Sequence, residues 1–223
     1  MKKMIILSAS PKKGEPSVSN LLSQTAKDHI SGKDIEVDII DVRKSLTSKD
    51  CTPAFEAMKD ADAMLIVFPL YFFCMPGMLT RYLEDYAHYI GAQGLPQKIY
   101  TIVNCGFPEP DINEEAIRVI QSFSRRIGAS FRFGVGFGSG GMIMGAKDAP
   151  FMKKAMQTLN DAFDLMAKDM NDMQLPPLKN VYIKVSFPRR LYYFGGNFGW
   201  RKLAKQNGLK KGDLYRKPYQ AES

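Results

Sequence analysis

Two rhythms of apolar residues alternate along the chain. Met4 to Leu7 is an unbroken apolar run, short enough for a buried strand. Val18, Leu21, Leu22, Thr25 and Ala26 then recur at helical spacing, and Gly32 offers a stop. Ile35 and Val37 alternate with polar residues before Ile39–Ile40, which marks a second strand. A polar stretch, Arg43 to Asp50, leads to a short helix near Pro53–Asp60. Ala63 to Leu70 is a third, strongly apolar strand. Leu79, Tyr82, Leu83, Tyr86 and Ile90 form a helix face closed by Gly91. Ile99 to Val103 is a fourth strand, and Ile117, Ile120, Phe123 and Ile127 mark the next helix, closed by Gly128. Phe131 to Phe137 is a fifth strand. Asp148 as cap and Pro150 in the first turn open a long helix. Its seam is Met152, Met156, Leu159, Phe163, Met166, Met170 and Met173, in steps of four and three. Such a seam packs along one partner, and both the domain's own sheet and a neighbouring subunit fit.

Strands that alternate with helices define an α/β class with a parallel sheet. Continuous apolar strands are what a sheet covered on both faces requires, so the expected architecture is a three-layer sandwich with five strands. In the order 2-1-3-4-5, right-handed crossovers bring the loops after strands one, three, four and five to the carboxyl edge, and ligands bind at the switch point between strands one and three. Pro176-Pro177 breaks the last helix. The expected organisation is a domain over residues 1–175 and an extension over 176–223.

The loops at the switch point carry the candidate chemistry. Between the first strand and first helix lie Ser8, Ser10, Lys12, Lys13, Gly14, Ser17, Ser19 and Asn20. A helix start offers unpaired N–H groups and the positive end of a dipole, and hydroxyls and lysines add donors and positive field. That combination reads as a phosphate cradle. A polar loop also caps a helix without binding anything, and the loop alone leaves both readings open. After the third strand comes Pro69-Leu70-Tyr71-Phe72-Phe73-Cys74-Met75-Pro76-Gly77, and after the fourth Asn104-Cys105-Gly106-Phe107-Pro108-Glu109-Pro110. Planar apolar walls beside a phosphate site suit a ligand with both a phosphate and a flat ring, such as FMN. No second nucleotide fingerprint is present, so FMN is expected rather than FAD. Gly136-Phe137-Gly138-Ser139-Gly140-Gly141 matches the dinucleotide glycine pattern in letters, but it follows the fifth strand instead of the first. It is expected to be a mobile loop near the ligand.

Composition narrows the class. Of 223 residues, 45% are hydrophobic and 24% charged, an ordinary globular balance. No apolar run is long enough to span a bilayer, and the chain opens directly on a strand without a secretory leader, so a cytoplasmic location is expected. Cys51, Cys74 and Cys105 are odd in number and widely spaced, which fits reduced thiols, and no CxxC pair offers metal ligands. His29 and His88 read as surface or helix-face residues, and no metal site is expected. The net charge of +8 belongs to the end of the chain, where residues 176–223 hold eleven Lys/Arg against two Asp/Glu. The same segment holds nine aromatic residues. Basic plus aromatic fits nucleic acid or a membrane surface. It also fits a tail docked on its own domain or a neighbouring subunit, and the last is the expectation, with neither nucleic acid nor membrane as partner.

Three stretches together carry a resemblance. Ser8-Ala9-Ser10-Pro11-Lys12-Lys13-Gly14, followed by hydroxyls, resembles the phosphate loop G-S-P-R-K-G-x-[ST] of the NAD(P)H-dependent FMN reductase family. Pro69 to Gly77 resembles that family's P-x-Y-x-x-x-x-P-x-x-[LM]-K loop, with Arg81 where a lysine is common, and Asn104 to Glu109 resembles its third loop. Ala9 replaces a glycine, and Glu15-Pro16 is inserted before Ser17. The resemblance covers about residues 1–175. It implies a flavodoxin-like fold and FMN held by Ser8, Ser10, Lys12, Gly14, Ser17, Ser19 and Asn20 in the first loop. Pro69, Leu70, Tyr71, Phe72 and Phe73 in the second and Asn104, Cys105, Gly106 and Phe107 in the third would complete the site. It further implies an NAD(P)H oxidoreductase, with NADPH or NADH as co-substrate, that passes electrons to a small acceptor such as a quinone, a free flavin or a nitro or azo compound. A homo-oligomer, dimer or tetramer, is expected, and no catalytic side chain is assigned. An electron carrier of flavodoxin type, or a flavin sensor with a nucleic-acid- or membrane-binding basic tail, are the alternatives.

Overall fold

In the computed structural model, residues 1–92, 94–172, 176 and 178–217 are described. The chain divides into a compact unit from Met1 to Val185 and a second unit beginning at Ser186. The first unit runs β1 (Lys2–Ser8), α1 (Val18–Ile30), β2 (Ile35–Asp41), α2 (Val42–Thr47), α3 (Thr52–Lys59), β3 (Ala63–Pro69) and α4 (Gly77–Ile90). It continues through β4 (Lys98–Asn104), α5 (Glu114–Arg126), β5 (Ser130–Phe137), the short α6 (Ile143–Ala146), α7 (Lys153–Asn171) and β6 (Val181–Ile183). The strands form one parallel sheet in the order β2-β1-β3-β4-β5-β6. This is the doubly wound arrangement expected, with a sixth strand added at the edge.

Burial explains the patterns in the sequence. Central β1 and β3 are covered on both faces, so Met4 to Leu7 and Ala63 to Phe68 are all buried. Edge strand β2 exposes Glu36 and Asp38 in alternation with buried Ile35 and Val37. The seam of α7 is spent inside the unit: Met152, Leu159, Phe163, Met166 and Met170 are buried and Met156 half-buried, while Met173 lies outside the described residues. Two starts differ from expectation. Asp148 does not cap α7; Pro150–Met152 forms a 3-10 turn that runs straight into it. Arg43 to Thr47 is helical because the Asp41 side chain accepts from the Lys44 N–H at 2.9 Å, and with Val42 as its one buried residue α2 shows no periodicity.

The C-terminal end of α7 is tied to the sheet by a buried carboxylate. Asp169 accepts from Arg132 through Nε and Nη2, at 2.9 and 2.7 Å, and from the Tyr100 hydroxyl at 2.6 Å. The Lys98 ammonium lies 3.6 Å from the same carboxylate and donates to the carbonyls of Asp169 and Asp172. Burial pushes the Asp169 pKa up, but the hydrogen bonds from Arg132 and Tyr100 outweigh it and hold the group below its ordinary value.

Candidate functional site

The first loop leaves the sheet at its carboxyl edge. The Ala9 N–H donates to the Val67 carbonyl at 2.9 Å, which carries the β1–β3 ladder one residue further and fixes where Ser10 stands. Gly14 turns the chain with φ of 69°, in the region that favours glycine. Ser17 caps α1: its hydroxyl accepts from the Asn20 N–H at 3.0 Å. The N–H groups of Val18 and Ser19, one residue and two residues beyond the cap, have no partner within the helix and point out of its positive end. Lys12 and Lys13 are exposed, and the one carboxylate of the loop, Glu15, lies 3.8 Å from the Lys12 ammonium.

The second loop is a tight reverse turn under strain. Tyr71 and Cys74 exchange backbone hydrogen bonds of 2.8 and 3.0 Å. The two residues between them, Phe72 and Phe73, have φ of 48° and 62°. Such a turn normally takes Asn or Gly, and a side chain there costs about 1–2 kcal/mol per residue. Buried Met75 and Pro76, and the Leu70 N–H donating to the Asn104 carbonyl at 2.8 Å, hold the turn in place. Its product is a pair of bulky rings standing in solvent, Phe72 99% and Phe73 60% exposed. Strained backbone presenting apolar rings at a sheet edge makes this turn a candidate ligand wall.

The third loop is built against glycines. A side chain at Gly136 would meet the Pro110 carbonyl at 2.8 Å, and one at Gly138 the Pro108 carbonyl at 2.8 Å. At Gly140 the neighbour is Asn104, whose Cβ is 3.2 Å away. The glycines at the end of β5 and just after it are therefore a bed for the Phe107–Pro110 backbone. It is pinned there by the Ser139 N–H to the Phe107 carbonyl at 2.7 Å and the Gly140 N–H to the Cys105 carbonyl at 2.8 Å. Tight packing, not the expected mobility, is what these glycines supply.

Asn104 joins the parts. Its buried Nδ2 donates to Ser19 Oγ at 3.0 Å and to the Phe68 carbonyl at 3.1 Å, so one side chain at the end of β4 touches the start of α1 and the end of β3. Ser8 Oγ donates to Asn20 Oδ1 at 2.8 Å, a second brace on α1. Of the expected site residues, Ser8, Ser19 and Asn104 thus hold the loops together. Ser10 is buried at the edge with its hydroxyl accepting from the Lys12 N–H at 3.4 Å. Tyr71, Phe72, Phe73, Gly106 and Phe107 are exposed, and Pro69 and Leu70 half-buried. Cys105 is buried, its thiol within 3.5 Å of the Phe107 carbonyl and of Asn113 Nδ2, and burial pushes its pKa up. Asn113, which also donates to the Pro110 carbonyl at 2.9 Å, has no sequence motif to announce it. Among the described residues no group of His, Cys, Asp and Glu could hold a metal, and no helix is long and apolar enough to cross a membrane.

A family model described as the flavodoxin-like fold matches residues 2–118. No curated protein matches the chain. Among solved structures, an NADH:FMN oxidoreductase in its apo form superposes with a TM-score of 0.57 at 18% identity, covering 86% of this chain and 98% of its own. The general stress protein 14 of Treponema denticola, solved in complex with FMN, gives 0.55 at 19% identity over 76% and 99%. An NAD(P)H:quinone oxidoreductase from Methanothermobacter marburgensis gives 0.54 at 15% identity over 78% and 96%. At these identities the likeness is one of fold.

Proposed function

The chain belongs to the flavodoxin-like fold family, and on that premise we propose that it is an FMN-dependent NAD(P)H oxidoreductase acting on a small acceptor such as a quinone, a free flavin or a nitro or azo compound. The observation that carries the reading is the junction at the switch point, where Asn104 ties the capped start of α1 to the strand ends flanking the strained aromatic turn. Structural neighbours that bind FMN or reduce quinones support it.

The residues present fit FMN. The free N–H groups at the start of α1, the hydroxyls of Ser10 and Ser17, Lys12 and the turn at Gly14 suit a phosphate. Pro69, Leu70, Tyr71, Phe72, Phe73, Gly106 and Phe107 suit the ribityl chain and ring, with Ser8, Ser19, Asn20, Asn104 and Cys105 holding those contacts in place. Held by these residues, FMN would supply hydride acceptance from reduced nicotinamide and electron transfer to the acceptor. The chain's part is to orient the ring, cover it from water with the Phe72–Phe73 wall and set its electrostatics through backbone donors. No side chain here needs to act as acid or base. Three free thiols support a reducing, cytoplasmic compartment, and a homo-oligomer is part of the reading.

The test is direct. Protein purified or reconstituted with flavin is expected to release FMN, identified by mass, and to oxidise NADPH or NADH anaerobically in the presence of a quinone. FAD alone, or no flavin affinity, removes the proposal. Bound FMN that NAD(P)H does not reduce without an added reductase turns the protein into an electron carrier.

A further inference from the structure

The second unit opens on a helix that is chemically unlike the rest of the molecule. Here α8 (Arg189–Gln206) spans 18 residues with five Lys/Arg and no acidic side chain. Across residues 186–217 nine cations face one carboxylate, Asp213. The helix's less exposed residues, Tyr192, Gly199 and Ala204, fall on one side, among exposed Tyr193, Trp200 and Leu203. The other side carries Arg190, Leu191, Phe194, Phe198, Arg201 and Lys205, recurring at helical spacing, and every one is exposed. That face is made only of cations and large apolar groups.

We propose that this face docks on an anionic lipid surface. Large apolar side chains in water call for a cover, and the charge says of what kind. A second copy of the unit brings the same cations, and residues 1–185 hold 22 basic against 21 acidic side chains, so neither brings a net opposite charge. Nucleic acid supplies it, but Leu191, Leu203, Leu209 and Leu214 neither stack on bases nor read their edges, and Asn197 and Gln206 are the only side-chain amides on the helix. An anionic bilayer meets both demands: headgroups pair with Lys and Arg, Phe and Leu reach the acyl boundary, and Trp and Tyr settle at the interface. Long basic side chains beside Phe194 and Phe198 lay their stems along the apolar surface and keep their charges among the headgroups. The helix lies on such a surface and does not cross it, since no described helix is apolar enough to span one.

The chain's single tryptophan, Trp200, sits in this helix on the side of Ala204 and reports whether the helix meets a surface. Full-length protein is mixed with vesicles of phosphatidylcholine, with and without phosphatidylglycerol. The expected result is co-sedimentation and a blue shift of Trp200 emission with the anionic vesicles only, weakened by added salt. Arg201→Glu/Lys205→Glu and, separately, Phe194→Ser/Phe198→Ser are each expected to lower vesicle affinity about tenfold or more. Unchanged melting of both variants shows that they fold. The proposal is overturned if the anionic vesicles draw no binding. It is equally overturned if a DNA or RNA oligonucleotide binds more tightly and the Phe variant leaves that binding intact. A lipid-free dimer dissolved by Phe194→Ser/Phe198→Ser assigns the face to protein instead.

Discussion

Phe72 and Phe73 show how a single residue departs from local preference where the candidate function lies. Both hold positive φ in a turn that Gly would occupy without strain. Phe72→Gly removes a ring exposed to solvent and relieves the backbone. The expected outcome is a melting temperature equal to or above that of the wild type, with FMN affinity about tenfold weaker through loss of ring contact. Thermal melts of the apoprotein beside an FMN titration separate the two effects; a large loss of stability would mean that the ring packs on the fold. Gly138 makes the opposite case. Its substitution by Ala puts Cβ 2.8 Å from the Pro108 carbonyl, so the third loop must move. The expected cost is about 1–3 kcal/mol in denaturant unfolding, with weaker FMN binding. The sequence displays this glycine and suggests the wrong reason for it, because a letter pattern cannot tell which backbone comes near. The strain at Phe72 is hidden for a related reason: nothing in a Tyr-Phe-Phe-Cys run states the sign of φ.

Among elements, legibility follows the distance over which a cause acts. The α7 seam is readable because a helix repeats its apolar contacts every turn, and α2 is not, because one buried residue repeats nothing. What fastens α7 is a contact that periodicity cannot contain: Asp169 pairs with Arg132, 37 residues away. Asp169→Asn keeps a partner for the Tyr100 hydroxyl and removes the charge opposite Arg132. A loss of about 3 kcal/mol is expected at neutral pH, since the half-buried Arg132 loses the carboxylate it pairs with. The pH dependence has a definite sign. The folded Asp169 pKa lies below the ordinary value of about 3.9, so the stability it contributes is full above that value and is lost as pH falls through the folded pKa. Wild-type melting temperature should therefore drop more steeply below about pH 4 than that of Asp169→Asn, the two curves converging in acid. Parallel curves would mean that the carboxylate contributes nothing through its charge.

At the scale of the molecule, the order of strands and loops carries the candidate site. Three loops are brought together by the sheet order alone, which is why they are legible before any contact is known. The link through Asn104 to Ser19, 85 residues apart, is not, since it depends on rotamers in the finished fold. The end of the first unit is the other boundary that pattern leaves open. Pro176-Pro177 suggests a stop there, and Pro177 lies outside the described residues, yet the sheet continues past it. Val181, Tyr182 and Ile183 pair with Val135, Gly136 and Phe137. Asn180 Oδ1 accepts from the Gly134 N–H at 2.8 Å, and the Ile183 carbonyl accepts from the Gly138 N–H at 3.0 Å. Ile183 and Val185 are buried. The alternation of Val181, Ile183 and Val185 reads as a possible strand, but three residues do not say which sheet they join, and the β5 glycines beside them have no side chains to announce the pairing. Two truncations follow from this. A chain ending at Val185 is expected to melt within a few degrees of the full-length protein and to keep its FMN, since every element of the first unit is intact. A chain ending at Pro177 strips the edge of β5, frees the Gly134 and Gly138 N–H groups and bares Phe137. About 3 kcal/mol or more of stability should go with them. The bed of the third loop loosens as well, so flavin content should fall together with the melting temperature. Calorimetry and the visible spectrum of both chains decide the matter. Equal stability of the two would detach β6 from the fold, and loss of FMN from the longer one would make the second unit part of the site.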